Sequence, residues 1–215
     1  NAANLKTRGF ELSVGWHNSD LHLLGKPFSY HVNVVLSDYK AWITKFNNPS
    51  RILSNYYVGE RLGEIWGYVI DGMFKTDEEA KAYPVNQDFV NPRRVQAPVG
   101  LRDLMAGDLK VRDLDGNDTI NLGQNTVDHP GDRKVIGNSQ PRFPFGISFS
   151  ADWGGFDLSV FLQGIGKQDW YPGNDGISYN EAVNFGAIYA RPYSSFIPAN
   201  FKSLMWSPDN PNAYL

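Results

Sequence analysis

The chain has 215 residues, a formal charge of −3, 41% hydrophobic residues and no cysteine. This composition is too apolar for a disordered chain, and its charge does not favour a nucleic-acid partner. Mean hydropathy is −0.40, and no run approaches the roughly 18 apolar residues of a membrane-spanning helix. A helical membrane protein is therefore excluded, whereas a β-barrel is not, because alternating strands average to low hydropathy.

Two segments near the start of the sequence alternate between apolar and polar residues, which predicts strands with one apolar face. The first lies near residues 9–17, and its apolar face carries Phe10, Leu12, Val14 and Trp16. The second lies near residues 28–38, and its apolar face carries Phe28, Tyr30, Val32, Val34 and Leu36. A short connection from His17 to Pro27 is predicted between them.

A second pair of alternating segments predicts another hairpin. The segment near residues 143–152 places Phe143, Phe145, Ile147, Phe149 and Ala151 on one face, and the segment near 156–165 places Phe156, Leu158, Val160 and Leu162 there. The sequence Asp152-Trp153-Gly154-Gly155 predicts the tight turn between them. Pro144 has no backbone N–H, so it predicts a late start or a bulge in this strand.

The remaining sequence predicts long loops near 40–142 and 166–215, within which Thr76 to Ala82 is expected to form a short helix capped by Thr76 and Glu79. Alternation alone does not distinguish a membrane strand from a half-buried soluble one. The strand lengths and the aromatic residues at the strand ends favour a barrel with short periplasmic turns and long extracellular loops. Four strands cannot close a barrel. We therefore expect the chain, which starts at Asn1 almost directly before a strand, to be part of a larger all-β protein.

Seven stretches of the sequence carry a resemblance to a known family. The most extended one is Gly131–Gly146, and the others are Gly9–Leu12, Phe28–Asp38, Tyr57–Glu60, Gly67–Tyr68, Asp71–Phe74 and Gly107–Asp118. In their order along the chain, these stretches resemble the SusC/RagA family of TonB-dependent outer-membrane transporters. The resemblance implies a late portion of a barrel of roughly 22 strands, with the N-terminal plug and the final strands lying outside this sequence.

The same resemblance implies a function in transport rather than catalysis. It implies an outer-membrane location in a bacterial cell and import of glycans, or of peptides, through the barrel. It further implies a SusD-like surface lipoprotein as partner, and energy supplied by TonB through the part of the protein that precedes this chain. The lipid bilayer and the imported oligosaccharide or peptide complete the expected partners.

One loop resembles a calcium-binding loop, because oxygen-bearing side chains alternate along it. The candidate ligands are Asp113, Asp115, Asn117, Thr119 and Asn121. Two positions depart from the calcium pattern: Asp118 replaces the glycine at position six, and Gln124 replaces the bidentate glutamate at position twelve. The alternative is a turn rich in Asp and Asn that holds no metal. Calcium is the only cofactor that the sequence indicates.

Four loop aromatics in polar, glycine-containing stretches are the candidate ligand-binding residues, since aromatic faces stack on sugar rings. They are Trp66, Tyr68, Trp170 and Tyr171. The alternative is that they pack the loops. The four histidines have no metal-ligand spacing, and no nucleophile or carboxylate pair indicates an enzyme. Two other classes of protein remain open at this point: a soluble carbohydrate-binding β-domain and a secreted glycan hydrolase.

Overall fold

The computed structural model describes residues 3–90, 103–169, 203 and 206–213. The strands are β1 (Asn4–Leu23), β2 (Lys26–Lys45), β3 (Glu64–Tyr68), β4 (Ile70–Met73), β5 (Leu109–Val111), β6 (Arg133–Asn138), β7 (Arg142–Trp153) and β8 (Phe156–Lys167), with one helix, α1 (Asp77–Ala82), between β4 and β5. The chain divides into two compact units. The first contains the four long strands, and most of the second is formed by residues 66–136.

The first unit is built on one antiparallel sheet in the order β1-β2-β7-β8. The register aligns the predicted apolar residues in rows across all four strands, such as Val14–Val34–Ile147–Leu162. Each row lies on one face because side chains alternate along a strand. The predicted separation into an apolar and a polar face is confirmed. No sheet among the described residues closes into a barrel.

Two-residue turns join the strands of each hairpin. Leu24 and Gly25 have φ values of 53° and 76°, and Gly154 and Gly155 have φ values of 57° and 94°. Positive φ at both central residues is typical of the turn whose twist matches paired strands. The predicted connection from His17 to Pro27 is therefore wrong: both strands continue through it, and a register shift between Asn18 and Leu21 accommodates the irregular sequence.

The four long strands also extend further than the predicted segments. β1 and β2 have 20 residues each, because the antiparallel ladder continues through residues such as Thr7 and Ala41 that do not follow the apolar alternation. On the β2 side of β7 the ladder starts late, which is one of the two outcomes that Pro144 predicts. The pairing begins at Leu36–Phe145, and Phe143, just before it, has a φ of 53°.

An ion pair joins β2 to β7 beyond the end of this ladder. Arg142 donates from Nε and Nη2 to the two carboxylate oxygens of Asp38. The two side chains are 15% and 9% exposed, respectively, so the charges are largely withdrawn from water. This pair fixes the point at which the long connection between β2 and β7 returns to the sheet.

The segment before β7 holds three stretches of the first unit together. The Asn138 side chain donates to the carbonyl of Leu62 at 3.0 Å, and the Ser139 amide donates to the carbonyl of Gly63 at 2.8 Å. The Asn138 amide donates to Asp169 Oδ2 at 2.9 Å. Asn138 and Ser139 thus have a structural role, because they satisfy the backbone carbonyls of Leu62 and Gly63.

The second unit contains a small core and the predicted helix. Val85, Val111 and Ile120 are buried together, with Tyr68, Tyr83 and Val90 packed against them. Thr76 caps α1 as predicted, its hydroxyl accepting from the Glu79 amide at 3.2 Å, while the Glu79 carboxylate accepts from the Lys75 amide. Within the described ranges, no helix has the length and apolar character needed to cross a membrane.

Candidate functional site

The polar face of the long sheet is a continuous surface of hydroxyl, amide, imidazole and carboxyl groups. His17 pairs with His31 across β1 and β2, and their rings are 6.5 Å apart. Asp152 pairs directly with Asp157 across β7 and β8, and it accepts a hydrogen bond from the Ser29 hydroxyl at 3.0 Å. Such a face is suited to water and polar solutes, whereas the opposite face is not.

A hollow of about 490 Å³ lies in the sheet where the polar face has an exposed aromatic ring. The Phe161 side chain is 63% exposed, and Glu11, Ser13 and Gln163 also line the hollow. Gly146 belongs to the lining, and a Cβ atom there would lie 3.0 Å from Val35. An apolar patch bordered by an acid and an amide is a surface on which a hydroxylated ring or a peptide can rest.

The predicted calcium loop folds around three carboxylates. Asp113, Asp115 and Asp132 each offer an oxygen atom, and these oxygens lie within 4.8 Å of one another. Asp132 is fully buried, Asp113 is half-buried and Asp115 is exposed. Three convergent carboxylates with one open side are the kind of donor set that a hard cation takes.

Asp132 was missed by sequence reasoning. It lies eight residues beyond Gln124, the residue at position twelve of the calcium pattern, and the intervening turn brings it back to the loop. Its two oxygens accept from the amides of Leu114 and Asn121 at 2.9 and 2.8 Å. The available signal was an isolated acid between Gly131 and Arg133, but only the fold shows that this acid is buried against the loop.

Backbone amides organise the rest of this loop. Burial acts to raise the pKa of Asp113, but hydrogen bonds from the amides of Asp118 and Gly116 outweigh it and hold that pKa below its usual value. Asn117 Oδ1 accepts from the Thr119 amide at 2.8 Å, and Asn121 Oδ1 accepts from the Gly123 amide at 2.6 Å. These bonds are those of Asx turns. Calcium binding therefore stays a prediction for all five residues of the loop.

Calcium binding by the full-length protein is expected to weaken by at least tenfold when Asp132 is changed to asparagine. The substitution removes one of three converging charges and keeps a single oxygen acceptor, which can serve one of the two amides bonded to Asp132. Calorimetry with calcium on both proteins measures the difference. Glu78→Gln is the matched control, since Glu78 is an exposed acid of the same unit. Equal calcium binding by the wild-type and Asp132→Asn proteins would show that Asp132 is not a ligand, and no binding by wild type at millimolar calcium would show that the loop is only a turn.

The candidate aromatics Trp66 and Tyr68 lie on the same face of β3, two residues apart. Both are half-buried, and the Trp66 indole nitrogen and the Tyr68 hydroxyl are buried without a hydrogen-bond partner in the described part of the chain. Burial raises the pKa of Tyr68. Tyr68 contacts the core and also borders a hollow of about 320 Å³. Ligand binding by these residues stays a prediction.

Trp170 and Tyr171 lie outside the described residues, so ligand binding by them stays a prediction. The predicted extracellular loop near 166–215 lies largely outside the described residues as well. Within the first unit, the structure brings polar side chains together on one face of the sheet. Within the second unit, it brings together the carboxylates of Asp113, Asp115 and Asp132.

Comparison with known proteins gives one relevant similarity and one negative result. The chain is 29% identical over 219 residues to "TonB-dependent receptor P39" of Formosa agariphila. The match covers 88% of this chain and 19% of that receptor's length. No family model matches. The similarity is to a TonB-dependent receptor in general, and nothing in it singles out the SusC/RagA branch.

Proposed function

We propose that the chain forms part of the barrel wall of a TonB-dependent outer-membrane transporter that imports glycans or peptides. The observation that carries this proposal is the apolar face of the sheet. Its side chains are aligned in rows across the four strands, and they are exposed instead of buried in a core. Trp16, Leu162 and Phe156 on this face are 64%, 55% and 71% exposed, respectively. In a bilayer, this face would contact lipid tails.

The size of the apolar band supports a membrane location. Asp38 lies ten positions after Phe28 on β2, so their two rows are about 33 Å apart along the strand. At a strand tilt near 40°, this distance corresponds to about 25 Å across a membrane. That is the height of the apolar band in outer-membrane barrels. The aromatic residues Trp16, Tyr30 and Trp153 lie near the turn end of the band, as interfacial aromatics do.

The polar face then lines the inside of the barrel. Its carboxyl, amide and hydroxyl groups and the hollow beside Phe161 suit a hydroxylated or peptidic solute. The connection between β2 and β7 leaves and returns at the end of the sheet opposite the two-residue turns, which supports an extracellular position for it. We include in the proposal a SusD-like lipoprotein over the extracellular loops, and TonB acting on the plug outside this chain.

Membrane location is tested by fractionating cells that produce the full-length protein. We expect it to sediment with outer membranes and to require detergent for extraction. A monodisperse full-length protein in plain buffer would instead support a soluble carbohydrate-binding β-domain.

Uptake is tested by deleting the gene and measuring growth on single glycans and on peptides. Loss of growth on one nutrient, reproduced by loss of TonB, is the expected result. Unchanged growth on every nutrient taken up by the parent strain would contradict import.

A further inference from the structure

Three cations extend the apolar face of the sheet at its loop end. Arg8 pairs with Lys40 across β1 and β2, and Lys6 pairs with Trp42 one row further on. The register is unbroken from Leu5 to Asn18, so the side chains of Lys6, Arg8 and Lys40 project from the same face as Phe10, Leu12 and Leu36. We call Lys6, Arg8 and Lys40 the cationic rim.

The charges of the cationic rim are not neutralised by the protein in the described part of the chain. All three side chains are exposed, and none forms an ion pair with a described carboxylate. Asp38 is the nearest acid on this face along the two strands, and both of its oxygens are engaged by Arg142. Lys40 also interacts electrostatically with Asp38, but the charge of Asp38 is already paired with Arg142, so the rim presents a net positive charge to whatever surrounds the sheet.

The position of the cationic rim matches the headgroup layer of a membrane. Arg8 and Lys40 lie two residues beyond the row of Phe10, which is about 7 Å along the strand and about 5 Å across a membrane for a tilted barrel strand. A headgroup layer is about 5–7 Å thick on each side of the hydrocarbon core. Cations just outside an apolar band lie where lipid phosphates are found.

The opposite end of the band has a different composition. There Lys26 lies over the ring of Trp153, with its ammonium nitrogen 5.6 Å from the ring centroid. The Trp16 indole donates to the Tyr30 hydroxyl at 2.9 Å. The turn end is thus dominated by aromatic residues with a single lysine above one ring, whereas the loop end has three cations in adjacent rows.

We propose that the cationic rim, Lys6, Arg8 and Lys40, binds the phosphate groups of an anionic lipid in the outer leaflet, with the acyl chains of that lipid on the apolar band below. Charge complementarity and continuity with the apolar band select this occupant. A free phosphate would use only the cations, whereas a phosphorylated glycolipid such as lipid A would use both surfaces. This inference rests on the proposed membrane location of the sheet.

The test measures lipid A binding to the full-length transporter purified in detergent, using native mass spectrometry. The variant Lys6→Gln/Arg8→Gln/Lys40→Gln is expected to bind diphosphorylated lipid A on the order of a hundredfold more weakly than wild type, because each of the three surface cations contributes about a fivefold share. Dephosphorylated lipid A is expected to bind wild type and variant equally. Millimolar inorganic phosphate is expected not to displace bound lipid A.

Two further variants separate the rim from general electrostatics and from misfolding. Lys75→Gln/Lys81→Gln/Lys134→Gln removes three exposed lysines of the second unit and is expected to bind lipid A like wild type. Lys6→Arg/Lys40→Arg keeps the charges and is also expected to bind like wild type.

Equal binding by wild type and the glutamine variant of the rim would overturn the inference. Equal losses in the two glutamine variants, or displacement of lipid A by inorganic phosphate, would overturn it as well. A full-length protein that is soluble without detergent would refute the membrane proposal itself. A membrane-embedded protein whose lipid A binding does not depend on the rim would refute only this inference.

Discussion

Changing Val14 to arginine is expected to prevent most of the full-length protein from assembling as a stable barrel. Val14 lies near the middle of the apolar band, in the row Val14–Val34–Ile147–Leu162, and its side chain is 55% exposed. An arginine on the lipid face at the bilayer midplane costs about 2–4 kcal/mol. This is a large part of the total stability of a typical folded protein.

Ser13→Arg is the matched control for this prediction. Ser13 precedes Val14 on β1, and its hydroxyl donates to Asn33 Oδ1 at 3.3 Å on the polar face. An arginine there would extend into water, so assembly is expected to remain near wild type. The fraction of heat-resistant, folded protein in outer membranes measures both variants. Equal assembly of Val14→Arg and Ser13→Arg would show that the two faces do not differ in environment.

Removing one partner of the Asp38–Arg142 pair is expected to destabilise the protein, because a charge with little exposure to water is left without a counter-ion. Asp38→Ala and Arg142→Ala should each show this destabilisation in urea unfolding of the full-length protein in lipid vesicles. The double variant should cost less than the sum of the two single changes, since neither charge then lacks its partner.

The Asp71–Arg112 pair provides the control for this cycle. Arg112 also donates from Nε and Nη2 to the Asp71 carboxylate, but the side chains of Asp71 and Arg112 are 34% and 51% exposed. Asp71→Ala is therefore expected to cost less than Asp38→Ala, since solvent-exposed pairs contribute little. Similar costs for Asp38→Ala and Asp71→Ala would contradict the role given to burial.

The two faces of the long sheet were predictable from the sequence because they depend on a local pattern. Alternation of residues such as Val14 and Ser13 sets the face of each side chain, and a tight turn with paired glycines sets the second hairpin. The N-cap of α1 was predictable for the same reason, since Thr76 and Glu79 lie only three residues apart.

The ends of the strands were not predictable, because pairing continues where the apolar pattern stops. Asn18 and Leu21 lie in β1 although their spacing breaks the alternation, and a register shift accommodates them. Leu24 has a positive φ in the turn, a conformation that leucine rarely adopts. A turn was therefore expected at the residues that favour turns, not at this leucine.

Contacts between residues that are distant in the sequence could not be predicted either. Asp132 joins Asp113 only through the fold, and Asp38 contacts Arg142, which lies 104 positions later in the sequence. The cationic rim depends on the register of β1 against β2, which places Arg8 beside Lys40. Register is determined by the whole ladder and cannot be read from either strand alone.

The central claim is that the apolar face of the sheet contacts lipid and the polar face contacts water. Spin labels on single cysteines test it directly, and the chain itself has no cysteine to interfere. In full-length protein reconstituted into liposomes, labels at Val14 and Leu162 are expected to be accessible to oxygen and shielded from a water-soluble relaxation agent. Labels at Ser13 and Gln163 are expected to show the reverse. Access of the water-soluble agent to both faces, or to neither, would contradict the account.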